Sequence, residues 1–439
     1  MKGSITNKNK QRKFIEYDNN SHLKFDYEYN ELKINNNGGS GNNVMNIVLL
    51  IHPIGVGIGR WYYNRLLKEI GNTSGNNTND DNDASNDILQ TKNLICLAPD
   101  LLGCGSACDP KLITIMKNNN DIHTITLDKL PLFLVNDWAD QIVDFMIQYE
   151  AELKLKNDEK NDDGNNERFD NIHWSVVSNG GCVPIALEIG KRFVESQTIS
   201  QTQEKEKNTN HNSCHPLPSS SSSSLPEVTN LILSATPSAE SLFSKPDIEK
   251  VQKSYKTLSG VPGSLFWWYS LRSNGKFIQS FSEKNLAARA ENLGSDWTPL
   301  CVETASSYGG KSRYSTFAFL AGSLNGGNDE RLKSLSGIIH NNSSKSKGDE
   351  NDNEKVMNID IITGRDNRRN RARSWFWEKE SKGQKETVVI EKTTLVPIIE
   401  QNGNGGTEHF VGGRRCPAHE DALGFSRVLL EIIFREAET

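Results

Sequence analysis

Residues Ile172–Leu187 read IHWSVVSNGGCVPIAL, and this stretch decides the fold. An apolar run, a glycine pair and an amphipathic continuation spell a buried strand, a tight turn and a helix. A sheet that presents a nucleophile on a sharp elbow has this layout. Such a turn is crowded and needs small residues two before and two after its tip. Three registers are open. With Gly180 at the tip, the flanks are Ser178 and Cys182, both small, and no side-chain nucleophile remains. With Ser178 at the tip, β-branched Val176 takes a crowded flank. With Cys182 at the tip, Pro184 does. The first register fits the crowding best.

Similar units lie on both sides. Val44–Ile51 (VMNIVLLI) and Leu94–Ala98 are continuous apolar runs, as expected of strands covered on both faces. A helix is expected at Trp61–Ile70 and another at Trp138–Tyr149, where Ile142, Phe145, Met146 and Tyr149 recur at helical spacing. Val228–Ser234 and Ile359–Thr363 read as further strands. A last strand falls in Thr387–Val396 or Glu408–Val411, and a final helix in His419–Arg435. Leu23–Ile34 alternates partially and suits an edge hairpin. Strands alternating with helices predict a mostly parallel α/β sheet flanked by helices.

The 439 residues exceed one typical domain, but much of the length is polar filler. Residues 71–87, 156–170, 197–226 and 326–355 are dominated by Asn, Asp, Ser, Lys and Glu, which cannot bury enough apolar surface to offset ordering entropy. The expected organisation is a polar lead (1–22), a core begun in 23–237, a helical cap in 238–325, a low-complexity loop (326–355) and a core completed in 356–439. The cap is inserted before the penultimate core strand. It is rich in aromatics, and Phe266, Trp267, Trp268 and Tyr269 are expected to line a pocket at the carboxyl ends of the strands.

A net charge of −6 gives no reason to expect a nucleic-acid partner. No run is long and apolar enough to span a membrane, and the N-terminal stretch has no apolar signal core. Seven cysteines at irregular spacing do not form a disulfide framework, and Cys104 and Cys108 lack a second pair at zinc-ligand spacing. No metal and no cofactor is expected. The glycine-rich run His52–Gly59 invites a dinucleotide reading, but Arg60 stands where the third glycine belongs.

Four segments together resemble the α/β-hydrolase superfamily. They are the loop LLIHPIGVGIGRWYYNRL, the segment LAPDLLGCGSACDP, the Ile172–Leu187 elbow and the strand IDIITGRDN. The His52–Gly57 loop and the Gly180–Pro184 elbow look closest to α/β-hydrolase-like proteins of photosynthetic lineages. The resemblance implies an α/β-hydrolase fold with a cap, and an oxyanion hole formed by the backbone amides of Ile54 and Gly181. It also implies a triad, and here the triad positions are altered. The acid position falls on Asn367, with Asp366 one earlier. The histidine position falls on Arg415 or Cys416, while His409 lies upstream and His419 starts the last helix.

These readings favour a degenerate triad. The elbow Ser178-Asn179-Gly180-Gly181-Cys182 would then bind a small carbonyl- or carboxylate-containing ligand without cleaving it. One alternative is a hydrolase of esters or similar bonds using Ser178 or Cys182 as nucleophile, His409 as base and Asp366 as orienter. Another is a cofactor-free lyase or isomerase. The chain as written is expected to be cytoplasmic, or plastid if a transit peptide precedes it.

Overall fold

The computed structural model describes residues 5–9, 13–17, 21–25, 28–34, 44–73, 93–108, 114–117, 132–159, 171–209, 225–237, 247–268, 275–328, 330–331, 334–335, 357–365 and 408–435. Eleven strands lie among them: β1 (Ile5–Asn9), β2 (Lys13–Tyr17), β3 (Ser21–Phe25), β4 (Glu28–Ile34), β5 (Val44–Ile51), β6 (Asn93–Pro99), β7 (Thr114–Lys117), β8 (Asn171–Asn179), β9 (Val228–Ser234), β10 (Asn358–Gly364) and β11 (Glu408–Val411). Eight form one sheet in the order β1-β4-β6-β5-β8-β9-β10-β11, and β2, β3 and β7 form a separate small sheet. Only β4 runs against the others in the large sheet.

Alternation along β5 shows why this sheet is covered on both faces. Ile47, Leu49 and Ile51 join one apolar cluster, Val48 and Leu50 the other. After the 3₁₀ turn Arg60–Tyr63, helix α1 (Asn64–Thr73) packs Leu66, Leu67 and Ile70 into the second cluster. The opposite face is covered by α2 (Val135–Glu159), through Trp138, Ile142, Phe145 and Met146, and by α3 (Val183–Thr209), through Ile185, Ala186 and Ile189. Fully burying a side chain of this size contributes about 1.5–3 kcal/mol, so these helices are fixed by packing more than by propensity.

Between β9 and β10 the described chain is helical: α4 (Ile248–Leu258), α5 (Val261–Phe266), α6 (Gly275–Asn285), α7 (Ala290–Leu293), α8 (Trp297–Ser306) and α9 (Arg313–Leu320). Asp247 caps α4 by accepting from the amides of Glu249 and Lys250. The chain ends in α10 (Pro417–Glu420) and α11 (Ala422–Phe434), which returns Phe425, Leu429 and Ile433 to the second cluster.

Three sequence expectations need correction. Leu23–Ile34 is not one hairpin: β3 pairs with β2 and β7, while β4 pairs with β1 and β6. Alternation identifies a strand but carries no information about its partner. The polar stretch 197–226 is not loop from its start, because α3 runs on to Thr209. Gln, Glu and Lys propagate a helix that tertiary packing has already nucleated. The final helix is broken at Asp421, whose carboxylate caps α11 by accepting from the Gly424 amide. The strand expected after β10 is Glu408–Val411, and Thr387–Val396 lies outside the described residues. Among the described residues no helix is long and apolar enough to cross a membrane.

Candidate functional site

β8 ends at Asn179, and a 3₁₀ turn (Gly180–Cys182) leads directly into α3. Gly180 carries φ of 59°, in the left-handed region that costs most side chains free energy. Neither Ser178 nor Cys182 has a positive φ. The sharp change of direction therefore sits at Gly180. A Cβ built on Gly180 would meet no atom within 4 Å, so the direction in which a tip side chain would project is open.

The neighbouring side chains are held elsewhere. Ser178 is fully buried on β8, in register with Ile51 and Leu233, and its hydroxyl has no hydrogen-bond partner. Asn179 bridges two elements: its Oδ1 accepts from the Ser234 hydroxyl at 3.1 Å, and its Nδ2 donates to the Arg415 carbonyl at 3.2 Å. That second bond draws the loop after β11 against the elbow, so Arg415 and Cys416 stand beside it. Cys182 is fully buried. Burial pushes its thiol far above the usual thiol range, opposed only in part by a hydrogen bond from the Ile54 backbone amide. The donor that the resemblance assigned to an oxyanion hole is thus directed at a sulfur of the same chain. The ring of Phe319 lies over Gly181, where a Cβ would stand 2.4 Å from a ring carbon.

The other expected site residues are dispersed. His409 lies on β11, three strands from β8, or about 14 Å at the usual strand spacing. Its Nε2 is 3.2 Å from Asp360 Oδ1, which Arg435 also approaches at 3.3 Å. His409 is therefore turned toward β10 and the end of α11. Asp366 and Asn367 lie outside the described residues, as does Tyr269. Trp267 is buried, edge-on to Phe317 at 5.8 Å, whereas Phe266 and Trp268 are 46% and 43% exposed. The ring that meets the elbow is Phe319, from the segment SRYSTFAFLAG. Helical spacing marks Phe317 and Phe319 alike as apolar and does not say which one reaches Gly181. His419 is buried by Tyr62, stacked on it at 6.0 Å, and by Trp297. Its Nε2 donates to the Leu293 carbonyl, and burial lowers its pKa.

A dense polar corner stands at the ends of β5 and β6. Asp100, 3% exposed, accepts from the Arg60 amide at 2.7 Å, the Arg60 guanidinium at 2.6 Å, the Ser106 amide at 3.0 Å and the Ser106 hydroxyl at 2.8 Å. His52 is wholly buried. Its Nε2 accepts from the Leu101 amide at 3.0 Å, which leaves Nδ1 to donate to the Pro53 carbonyl at 3.0 Å. Burial keeps this ring neutral by lowering its pKa. Arg60, the residue that spoils the dinucleotide spacing, is the partner of the Pro-Asp carboxylate. Helices of residues 238–325 tie onto the same loops: Thr316 donates to the Gly55 carbonyl at 3.0 Å, and Ser315 to the Gly103 carbonyl at 2.8 Å. Among the described residues no group of three or more His, Cys, Asp or Glu is placed to hold a metal.

The strand order, the single reversed strand and the strand–turn–helix at Gly180 define the α/β-hydrolase fold. Among solved structures the chain is similar to the peroxisomal alpha-beta-hydrolase Lpx1 from Saccharomyces cerevisiae, at 9% identity and a TM-score of 0.48, over 100% of this chain and 89% of that one. It is similar also to a proline iminopeptidase from Mycobacterium smegmatis, at 8% identity and a TM-score of 0.44, over 98% of this chain and 100% of that one. No protein-family model and no curated protein matches the chain in sequence.

Proposed function

We propose that this chain is a non-hydrolytic protein on the α/β-hydrolase fold, and that it holds a small carbonyl- or carboxylate-bearing ligand in front of Gly180. The observation that carries this reading is the elbow tip. It keeps the left-handed turn and the open direction in front of it, but the residue there is a glycine. The triad is degenerate in this reading. Ser178 is buried on its strand, Cys182 is held as a neutral thiol against Ile54, and His409 is engaged with Asp360. A covalent route needs a nucleophile and a base within hydrogen-bond reach of each other, and these residues do not supply that pair. The helices of residues 238–325 act as a cap, through Phe319 and the bonds of Ser315 and Thr316. Sulfur is a weak acceptor, so a ligand oxygen can take the Ile54 amide from Cys182. The His52–Gly57 loop and the Gly180–Pro184 elbow favour kinship with the α/β-hydrolase-like proteins of photosynthetic lineages.

The test is a titration of isotope-labelled protein with acetate, butyrate, phenylacetate and the matching amides, read at the amide signals of Ile54, Gly180 and Gly181. Wild type is expected to shift with at least one member of the set. Gly180→Asn, which tolerates a positive φ and fills the open direction, is expected not to shift. No response to any of these compounds, or the same response in Gly180→Asn, overturns the proposal.

A further inference from the structure

Exposed apolar side chains are not spread evenly over this chain. Of the eleven large ones among the described residues, eight belong to the helices of residues 238–325. Scattered singly, such residues need no partner. Here they adjoin. Phe277 and Phe281 stand one turn apart on α6 with their rings stacked at 6.4 Å, and Phe266 of α5 meets Phe277 edge-on at 6.2 Å. Val261 and Leu265, also one turn apart, are 73% and 51% exposed on α5. None of these five side chains belongs to either apolar cluster of the fold. The buried residues of α6 are Ile278 and Ser282, and Trp297 donates to the Ser282 hydroxyl. The packing that fixes α6 therefore turns its phenyl rings outward.

Lysines frame this patch. Lys284 lies one turn beyond Phe281 on the same stripe of α6, and Lys276 precedes Phe277. Lys250, Lys253 and Lys256 run along α4, and all five lysines are exposed. A Cβ on Gly263 would stand 1.7 Å from the Leu258 carbonyl oxygen, a close approach that brings the lysine-bearing end of α4 against α5. From Asp247 to Asn285 the described residues hold these five lysines, no arginine, and three acids. Two of the acids, Asp247 and Glu249, sit at the start of α4, away from α5, and Glu283 accepts from Gln279. The face carries an excess of positive charge on a chain whose net charge is −6.

We infer that the α5–α6 face docks on an anionic phospholipid surface. Exposed rings enter the boundary between headgroups and acyl chains, and anionic headgroups attract the lysines beside them. The long lysine stem keeps its ammonium among the headgroups while the ring sinks. A second copy of this chain fits the face less well. A two-fold contact sets the patch against itself and brings the lysines together, and the centres of protein interfaces are depleted in lysine. None of these residues belongs to the elbow, so the surface does not depend on a ligand at Gly180.

The test is co-sedimentation of the full chain with vesicles of phosphatidylcholine alone and of equal parts phosphatidylcholine and phosphatidylserine. Wild type is expected to bind the mixed vesicles and to bind phosphatidylcholine alone more weakly. Raising the salt from about 0.1 to about 1 M shortens the screening length from about 10 to about 3 Å and should release the protein. Phe277→Gln with Phe281→Gln is expected to weaken binding at least about tenfold, because two rings no longer leave water. Lys253→Gln with Lys256→Gln is expected to weaken it by about fivefold per lysine. Both variants should melt as wild type does, since their side chains lie outside the apolar clusters. No binding to the mixed vesicles, equal binding to phosphatidylcholine alone, or undiminished binding in either variant overturns the inference. So does a dimer in sedimentation equilibrium that the double phenylalanine variant dissolves.

Discussion

The Asp100 corner and the Gly180 elbow lie at the same end of the sheet, yet they are built on opposite principles. In the corner, every polar contact is matched: a buried carboxylate accepts four hydrogen bonds, and a buried imidazole has both nitrogens engaged. At the elbow the backbone is sharply shaped, and beside the hydrogen-bonded Asn179 amide stand a buried hydroxyl without a partner, a buried thiol and a phenyl ring. The corner holds the loops after β5 and β6 in place. The elbow displays an empty tip. The shape of a site and its reacting groups are thus separable: the hydrogen bonds that fix the loops after β5 and β6 do not involve the side chains that surround the turn.

The largest expected effect breaks the corner. Arg60→Ala leaves the buried Asp100 carboxylate without its cation, a change that typically costs about 3–5 kcal/mol. Urea unfolding should show the midpoint falling by the corresponding amount. A loss under about 1 kcal/mol, the scale of an exposed ion pair, would mean that Asp100 is held by Ser106 and the backbone alone.

Phe319→Ala sharpens the contrast from the elbow side. Removing a half-buried ring should destabilise by about 1–3 kcal/mol from lost apolar burial. It should also raise the rate at which a thiol reagent modifies Cys182 in the folded state, read by intact mass and peptide mapping. An unchanged rate would place the barrier to Cys182 elsewhere than at this ring.

Histidine titration gives a smaller, graded effect. Burial lowers the pKa of His52 and of His419 below the ordinary value of 6.5. Each favours folding fully above the unfolded-state pKa. That contribution falls away as the pH drops from about 6.5 toward the folded-state value, because the unfolded chain then binds protons that the native rings refuse. Thermal stability should therefore decline as the pH is lowered from 7 to 5. His52→Gln should flatten that decline, at the cost of lower stability at pH 7.

Much of this was legible in the sequence. The apolar runs located β5, β6, β8, β9 and β10 to within a residue or two, because strands covered on both faces leave continuous hydrophobic stretches. The turn at the end of β8 was readable, because a glycine pair after an apolar run marks a sharp change of direction. Partnerships were not legible. Nothing local says that Arg60 meets Asp100, that Asn179 reaches the Arg415 carbonyl, or that the Ile54 amide finds the Cys182 sulfur. Each of these contacts joins elements far apart along the chain. The aromatic block shows the same limit: composition marked Phe266 to Tyr269, but the ring over the elbow belongs to Phe319, some fifty residues on.

The smallest expected effect is at Ser178. An unpartnered buried hydroxyl adds little to stability, so Ser178→Ala should change it by less than about 1 kcal/mol or raise it slightly. Ligand responses at Gly180 should be unchanged. A large loss of stability would reveal a role for this hydroxyl at the strand end.

No side chain at the elbow is expected to perform covalent chemistry. Intact-mass analysis of the wild-type chain, after incubation with a fluorophosphonate probe and separately with an activated aryl ester, tests it directly. Both incubations are expected to leave the unmodified mass, with no burst of released phenol. A stoichiometric adduct mapping to Ser178 or Cys182, abolished by the matching alanine substitution in a protein that still folds, would contradict it.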